Sequence, residues 1–351
     1  MSWLDELARP EILALKPYEH ARWDPQLQRL HANELPWRAL ADHSAAGLNR
    51  YPEPQPGRLI ERLAALYRVP PECVLLGRGS DEVMDLLVRA FCRAYRDSVL
   101  VCPPTFGMYA VCAHIQGAGV VEVPLRAQQH FSLDIEAVLA HCTPEVKLLF
   151  LCSPNNPTGN LLDTEAVLQL SERLAGRALV VVDEAYIEFS GSPGLSRYLA
   201  KTPQLAVMRT LSKAYALAGA RCGALLAAPE LVLLLRKLIA PYAITQPTLE
   251  VVLDALTPAQ LSVAAQRLQS IARERSRLQQ ALARVPGIRR AWRSDANFVL
   301  AECVDAQDTL RRAQAAGLLI RDVRSYPGLD GCVRVTVGDS DQNTRLLEAL
   351  Q

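Results

Sequence analysis

Short apolar runs alternate with stretches of helical periodicity along most of this chain. Residues 73–76 (Cys-Val-Leu-Leu) form one such run, and within residues 81–95 the positions Val83, Leu86, Leu87, Ala90 and Phe91 fall on one helical face. Residues 98–102 are the next run, closed by Pro103 and Pro104; a helical stretch at 106–115 and a strand at 120–123 follow. Residues 147–152 and 178–183 are continuous rather than alternating, as expected of parallel strands buried on both faces. Between them, residues 163–174 read as a capped helix, and runs at 205–209 and 223–227 complete a set of seven. Strand–helix units joined by short loops predict an α/β fold. Its large domain would hold a mostly parallel seven-stranded sheet covered by helices.

Beyond about residue 241 the pattern changes. Residues 258–283 form a long helical segment with arginines and glutamines on one side and leucines on the other. A strand at 298–301, a helix at 306–315, and segments 318–321 and 332–337 follow, which predicts a smaller α+β domain. The expected division is an arm at 1–36 that joins the small domain, a large domain at 37–245 and the small domain at 246–351.

Composition excludes several classes of function. The 351 residues are 50% hydrophobic and 21% charged, as in a soluble globular protein, and the net charge of +1 gives no electrostatic draw toward nucleic acid or anionic membrane. No apolar run is long enough to cross a bilayer, and the opening Met-Ser-Trp-Leu-Asp-Glu lacks a secretory pattern, so the cytoplasm is the expected compartment. The 9 cysteines include no Cys-x-x-Cys and the 6 histidines lack ligand spacing, so neither a metal site nor disulfides are expected.

Candidate chemistry begins at Lys213, in Thr210-Leu-Ser-Lys-Ala-Tyr-Ala-Leu-Ala-Gly-Ala-Arg-Cys-Gly223. Only 5 of the 38 basic residues are lysine, and this one stands among hydroxyls and small apolar residues, far from any carboxylate in sequence. A primary amine forms a Schiff base with a carbonyl cofactor, which a guanidinium does not, so pyridoxal phosphate is the first cofactor to consider. Asp183 ends a buried strand at the sheet edge where ligands bind, either as a turn cap or as partner to a protonated ring nitrogen. Tyr186 follows it and could donate to a ring oxygen. The loop Ser153-Pro-Asn-Asn-Pro-Thr-Gly159 holds Asn156 at the same edge, as an ordinary turn or as a second donor.

Gly77-Arg-Gly-Ser-Asp-Glu82 lies at a strand-to-helix junction, where backbone amides and Ser80 would seat a phosphate, with Ser212 and Arg221 on its other side. Asp81 and Glu82 also suit a first helical turn. Tyr109, after Pro103-Pro-Thr-Phe-Gly-Met, offers either an aromatic face for a planar ring or a core side chain. In residues 332–337 (Cys-Val-Arg-Val-Thr-Val) alternation sends the valines to one face and Arg334 to the other, as an edge charge or as a fork for an anion; Arg321 has the same two readings.

Taken together, Ser153–Gly159, Val182-Asp-Glu-Ala-Tyr186 and Ser212–Gly223 resemble the motifs of the fold-type I, class II pyridoxal-phosphate-dependent aminotransferases, in order and spacing as well as content. Leu15-Lys-Pro-Tyr18, Ala32-Asn-Glu34, Asn49-Arg-Tyr-Pro-Glu53, Arg78–Glu82, Pro104–Tyr109 and Gly331–Gly338 extend the resemblance over nearly the whole chain, closest to the histidinol-phosphate branch. It implies pyridoxal 5'-phosphate on Lys213, Asp183 at the ring nitrogen, Asn156 and Tyr186 at the phenolic oxygen, and Tyr109 stacked on the ring. It places the phosphate among Ser80, Asp81, Ser212 and Arg221, with Glu82 and Thr210 also binding the cofactor. It also implies a homodimer with shared active sites, Tyr51 reaching the neighbour's site, and a substrate lined by Tyr18, Asn33, Tyr51, Asn156, Arg321 and Arg334. The implied reaction exchanges an amino group between L-histidinol phosphate and 2-oxoglutarate, giving imidazole-acetol phosphate and glutamate in histidine biosynthesis. An aromatic amino-acid aminotransferase and a threonine-phosphate decarboxylase are alternatives on the same fold. A ligand-sensing regulator would require a basic DNA-binding unit that the sequence does not display.

Overall fold

All seven predicted runs are strands of one sheet in the computed structural model, which describes residues 3–24 and 26–351. They are β1 (Val74–Gly77), β2 (Ser98–Val101), β3 (Gly119–Glu122), β4 (Val146–Cys152), β5 (Leu179–Asp183), β6 (Leu205–Thr210) and β7 (Gly223–Leu226), in the spatial order β1-β7-β6-β5-β4-β2-β3. Only β7 runs against its neighbours. The continuous apolar character of β4, β5 and β6 is explained by helices on both faces, which leave these strands almost wholly buried.

Parallel pairing sets the position of the chemistry. Cys152 pairs with Asp183, and Asp183 with Met208, so the segments leaving β4, β5 and β6 emerge from one carboxyl edge. Antiparallel β7 brings Gly223 opposite both Thr210 and Gly77, so the start of the helix Ser80–Phe91 reaches the same edge.

The small sheet is antiparallel, ordered β10-β11-β9-β8, from β8 (Ile288–Ala291), β9 (Phe298–Cys303), β10 (Arg321–Asp322) and β11 (Cys332–Thr336). Helices Pro258–Leu282, Ala306–Ala315 and Ser340–Leu350 cover it, closing a core of Leu278, Leu282, Val299, Val333, Val335 and Leu346. As the alternation requires, Val333, Val335 and Val337 are buried while Thr336 is exposed and Arg334 lies between these extremes.

Two expectations about domain organisation need correction. The N-terminal arm does not complete the small domain: Leu4, Leu7 and Ile12 pack in the large-domain cluster with Phe91 and Leu235. Trp3 Nε1 donates to Glu230, and the Arg9 N–H to the Ala90 carbonyl. Those leucines need apolar partners, and the helices beside β1 supply them. Met1, Ser2 and Pro25 of the predicted arm lie outside the described residues. The helix Gln246–Ala255 also belongs with the large sheet, because Val252 and Leu256 share a core with Leu59 and Leu63 of the helix Gly57–Tyr67. The small-domain core begins only at Leu278, within the long helix.

Candidate active site

The carboxyl edge of the large sheet carries a cleft lined by Ser80, Asp81, Phe106, Asn156, Asp183, Tyr186, Thr210, Ser212, Lys213 and Arg221, together with Cys152 and Ala185. Residues from five separate connections thus meet because β1, β2, β4, β5 and β6 end on one side. Lys213 lies three residues beyond the end of β6, exposed, with its Nζ 5.7 Å from the centre of the Tyr186 ring.

Asp183 is buried at the floor. Its Oδ2 accepts from the Tyr109 hydroxyl at 3.0 Å and its Oδ1 from the Ala185 N–H at 3.0 Å. Burial pushes its carboxyl up to about 6, against the opposing effect of those two donors. A buried carboxylate without a bonded cation suits a positively charged ring nitrogen.

Tyr109 does not line this cleft, which corrects the expectation of a stacking face. Its ring is fully buried and lies flat on Phe150, 5.0 Å between centroids at 1°, while its hydroxyl braces Asp183. The helix begins only at Met108, so Tyr109 is drawn inward in the first turn, whereas Phe106 stays in the loop at the sheet edge. Phe106 is the aromatic that faces the cleft, packed edge-on against Tyr109 at 85°. Two aromatics in one short loop signalled the role, but only the helix start decides between them.

At the helix Ser80–Phe91, Gly79 takes a left-handed φ of +82° and provides no side-chain cap, so the first-turn amides remain directed at the cleft. Arg221 closes the other side: Nη2 donates to Asp81 Oδ2 at 3.0 Å and Nη1 to Ser212 Oγ at 3.4 Å. The Thr210 hydroxyl donates to Ser212 Oγ at 3.0 Å. Glu82 is not part of this seat and is a second correction. Its carboxylate turns back to Arg78, accepting from the backbone N–H at 2.7 Å and from Nε at 2.8 Å.

Gly223, which motif reading did not single out, lets β7 pass beneath this seat. A Cβ there would lie 2.6 Å from Gly79 C and Ser80 N and 3.0 Å from Arg209 O, all backbone atoms that cannot swing aside. Gly223→Ala is therefore expected to cost about 1–3 kcal/mol of stability and to displace the seat. Thermal unfolding together with a pyridoxal-phosphate titration measures both, and unchanged affinity would separate the glycine from the seat.

On the facing side, Asn156 is buried and its Oδ1 accepts from Arg334 Nη1. Arg334 Cζ lies 5.1 Å from the centre of the Phe298 ring, its Nε is buried without a partner, and burial pulls its pKa down. Arg321 is directly opposite Arg334 across β10 and β11, and like-charge repulsion between the two adds to that shift. Neither arginine forms an ion pair among the described residues. Two adjacent cations, one half-buried and both without a carboxylate, make a seat for an anion.

Tyr18, Asn33 and Tyr51 are not brought to the cleft of their own chain. Tyr51 is 50% exposed and stacks on Tyr242 at 4.6 Å; with Asn33 it lines a separate hollow of about 550 Å³. Tyr18 is exposed beside His20.

A family model described as aminotransferase class I and II matches residues 28–350. A protein named histidinol-phosphate aminotransferase from Stenotrophomonas maltophilia (strain R551-3) is 46% identical over 349 residues, covering 98% of this chain and 95% of that relative. One so named from Xylella fastidiosa (strain 9a5c) is 48% identical over 356 residues, covering 99% and 96%. Among solved structures, the histidinol-phosphate aminotransferase from Clostridium acetobutylicum superposes with a TM-score of 0.79 at 24% identity, covering 86% of this chain and 90% of that one, a likeness of fold. The histidinol-phosphate aminotransferase from Sinorhizobium meliloti in complex with pyridoxal-5'-phosphate gives a TM-score of 0.78 at 26% identity, covering 87% and 83%.

Proposed function

The chain belongs to the aminotransferase class I and II family, and within it we propose a histidinol-phosphate aminotransferase. It exchanges an amino group between L-histidinol phosphate and 2-oxoglutarate, reversibly, in histidine biosynthesis. The donor set of the cleft fits pyridoxal 5'-phosphate. Asp183 would hold the protonated ring nitrogen, and Asn156 and Tyr186 the phenolic oxygen. Ser80, Asp81, Thr210, Ser212 and Arg221 would hold the phosphate, and Phe106 would cover a ring face. When bound, this cofactor supplies an aldehyde for the amine and a ring that draws electrons from the substrate carbon.

The protein's own work is positioning and proton transfer. Lys213 Nζ is the amine set to hold the aldehyde and, once released, to take the proton from the substrate carbon and return it. Asp183 would keep positive charge on the ring, and its carboxylate is held in place by Tyr109 and Ala185. Arg334 and Arg321 bind the anionic end of the substrate.

The observation that carries the choice of substrate is that unpaired arginine couple. A phosphate gains charge-assisted hydrogen bonds there, whereas a phenyl side chain would leave the guanidiniums unanswered. Two such bonds amount to about 3 kcal/mol, roughly 100-fold. In a panel of purified protein with histidinol phosphate, phenylalanine and threonine phosphate, kcat/KM is expected to favour histidinol phosphate over phenylalanine by roughly that factor. Preference for phenylalanine would move the protein to the aromatic aminotransferases, and release of carbon dioxide from threonine phosphate to the decarboxylases.

The working form is a homodimer with shared sites, a reading supported by Tyr51 and Asn33, which stand exposed and away from their own cleft. A cytoplasmic location is supported by nine cysteines that are all free thiols and by the absence, among the described residues, of any helix long and apolar enough to cross a membrane.

A further inference from the structure

Among the described residues, 14–56 contain no helix or strand, yet one carboxylate in this stretch is almost completely enclosed. The Glu34 side chain is 2% exposed and meets two guanidiniums: Arg50 Nη1 at 2.9 Å and Arg29 Nη2 at 3.5 Å. Enclosing a carboxylate is costly unless its charge and lone pairs are answered. Here the remaining acceptor capacity goes to a single backbone. Glu34 Oε1 accepts from the Tyr51 N–H at 2.7 Å, and Arg29 Nη1 donates to the Tyr51 carbonyl at 3.0 Å. Arg29 is itself steadied by the Trp23 ring, 4.6 Å away, and Arg50 reaches the Arg29 carbonyl at 3.4 Å.

Both backbone groups of Tyr51 are therefore fixed by side chains of one ion cluster, and one face of its ring by Tyr242. The ring nevertheless remains half-exposed and outside its own cleft. A loop residue fixed from three sides, with its side chain left open, is oriented for use by something else.

We propose that Glu34 is a positioning residue which fixes Tyr51 for the Lys213 cleft of a second copy of this chain. The proposal rests on the reading that the protein is a homodimer with shared sites. Glu34 then acts in trans: loss of Glu34 in one copy damages the partner's cleft, not its own. Removing the carboxylate sets Arg29 and Arg50 against each other as like charges and frees the Tyr51 backbone.

The test is subunit complementation. Glu34→Ala and Tyr51→Ala are each prepared alone and as mixed dimers with Lys213→Ala, formed by unfolding and refolding equimolar pairs. Each homodimer variant is expected to lose about 10- to 100-fold in kcat/KM and to release pyridoxal phosphate more readily, read by absorbance titration. Mixing Glu34→Ala with Lys213→Ala should restore roughly a quarter of the wild-type rate, since half the dimers are mixed and each of those carries one complete site. Cofactor retention should recover in the same fraction. If Tyr51→Ala complements and Glu34→Ala does not, Glu34 serves only its own subunit and the proposal fails while the shared site stands. If neither complements, the shared-site reading fails and takes the proposal with it. Should Glu34→Ala not fold, Glu34→Gln keeps the shape and removes the charge, and the same mixing decides.

Discussion

Lys213→Ala is expected to turn over substrate about 10,000-fold more slowly than the wild-type chain, or not measurably, while keeping its fold. The loss is large because one nitrogen has two roles, holding the aldehyde and moving the substrate proton, and nothing else in the cleft replaces it. The other lysines are Lys16, Lys147, Lys201 and Lys237, none of which lines the cleft. Tyr186 lines the same cleft, but burial pushes its hydroxyl far above the usual phenol range, so it stays protonated and is no base at neutral pH. The fold should survive because Lys213 is exposed and its side chain makes no hydrogen bond or ion pair among the described residues. Borohydride reduction and peptide mapping give the direct readout: a pyridoxyl label on the Lys213 peptide of the wild type and none on the variant. A label on another lysine, or a variant that retains its rate, would remove the basis of the functional reading.

How far the sequence reveals this site depends on how local each interaction is. Asp183, Asn156 and Lys213 are legible because each ends or lies within four residues of an apolar strand, and parallel pairing brings such ends together. Tyr109 turns inward and Phe106 faces the cleft because the helix starts at Met108, between the two aromatics. Glu82 leaves the phosphate seat for Arg78, a preference for one neighbour that spacing does not reveal. Gly223 looks like an ordinary strand glycine until β7 is seen crossing beneath the Gly79–Ser80 backbone. The Glu34 cluster draws on residues 29, 34, 50 and 51 in a stretch without periodicity, so the motifs at 32–34 and 49–53 are visible in the sequence but the contact between them is not. At the level of the fold, short arm helices such as Trp3–Leu7 carry too few apolar positions to name their partner, and only the structure places them against the large domain.

Asp183→Asn tests the electrostatic half of the mechanism without disturbing its geometry. The amide oxygen can accept from the Ala185 N–H as Oδ1 does, and the Tyr109 hydroxyl can rotate to accept from the new NH2 group, so no buried polar atom is left without a partner. What disappears is the negative charge. Turnover is expected to fall by about two to three orders of magnitude, the range seen when a preorganised electrostatic contact is removed. Stability should move the other way. With its carboxyl raised to about 6 in the fold and near the ordinary value of 3.8 when unfolded, Asp183 holds its proton longer in the folded state. In the cofactor-free protein its contribution is therefore fully present below pH 4 and is lost as pH rises to 6, a cost of about 3 kcal/mol at neutral pH. Asparagine has no such cost, so the cofactor-free variant should melt higher than the cofactor-free wild type at pH 7.5 and lose that advantage by pH 4. Adding pyridoxal phosphate should reverse the order, because only the carboxylate gains a cationic partner. Melting curves at the two pH values, with and without cofactor, read all four states. If the cofactor stabilised both proteins equally, Asp183 would not be the partner of a charged ring.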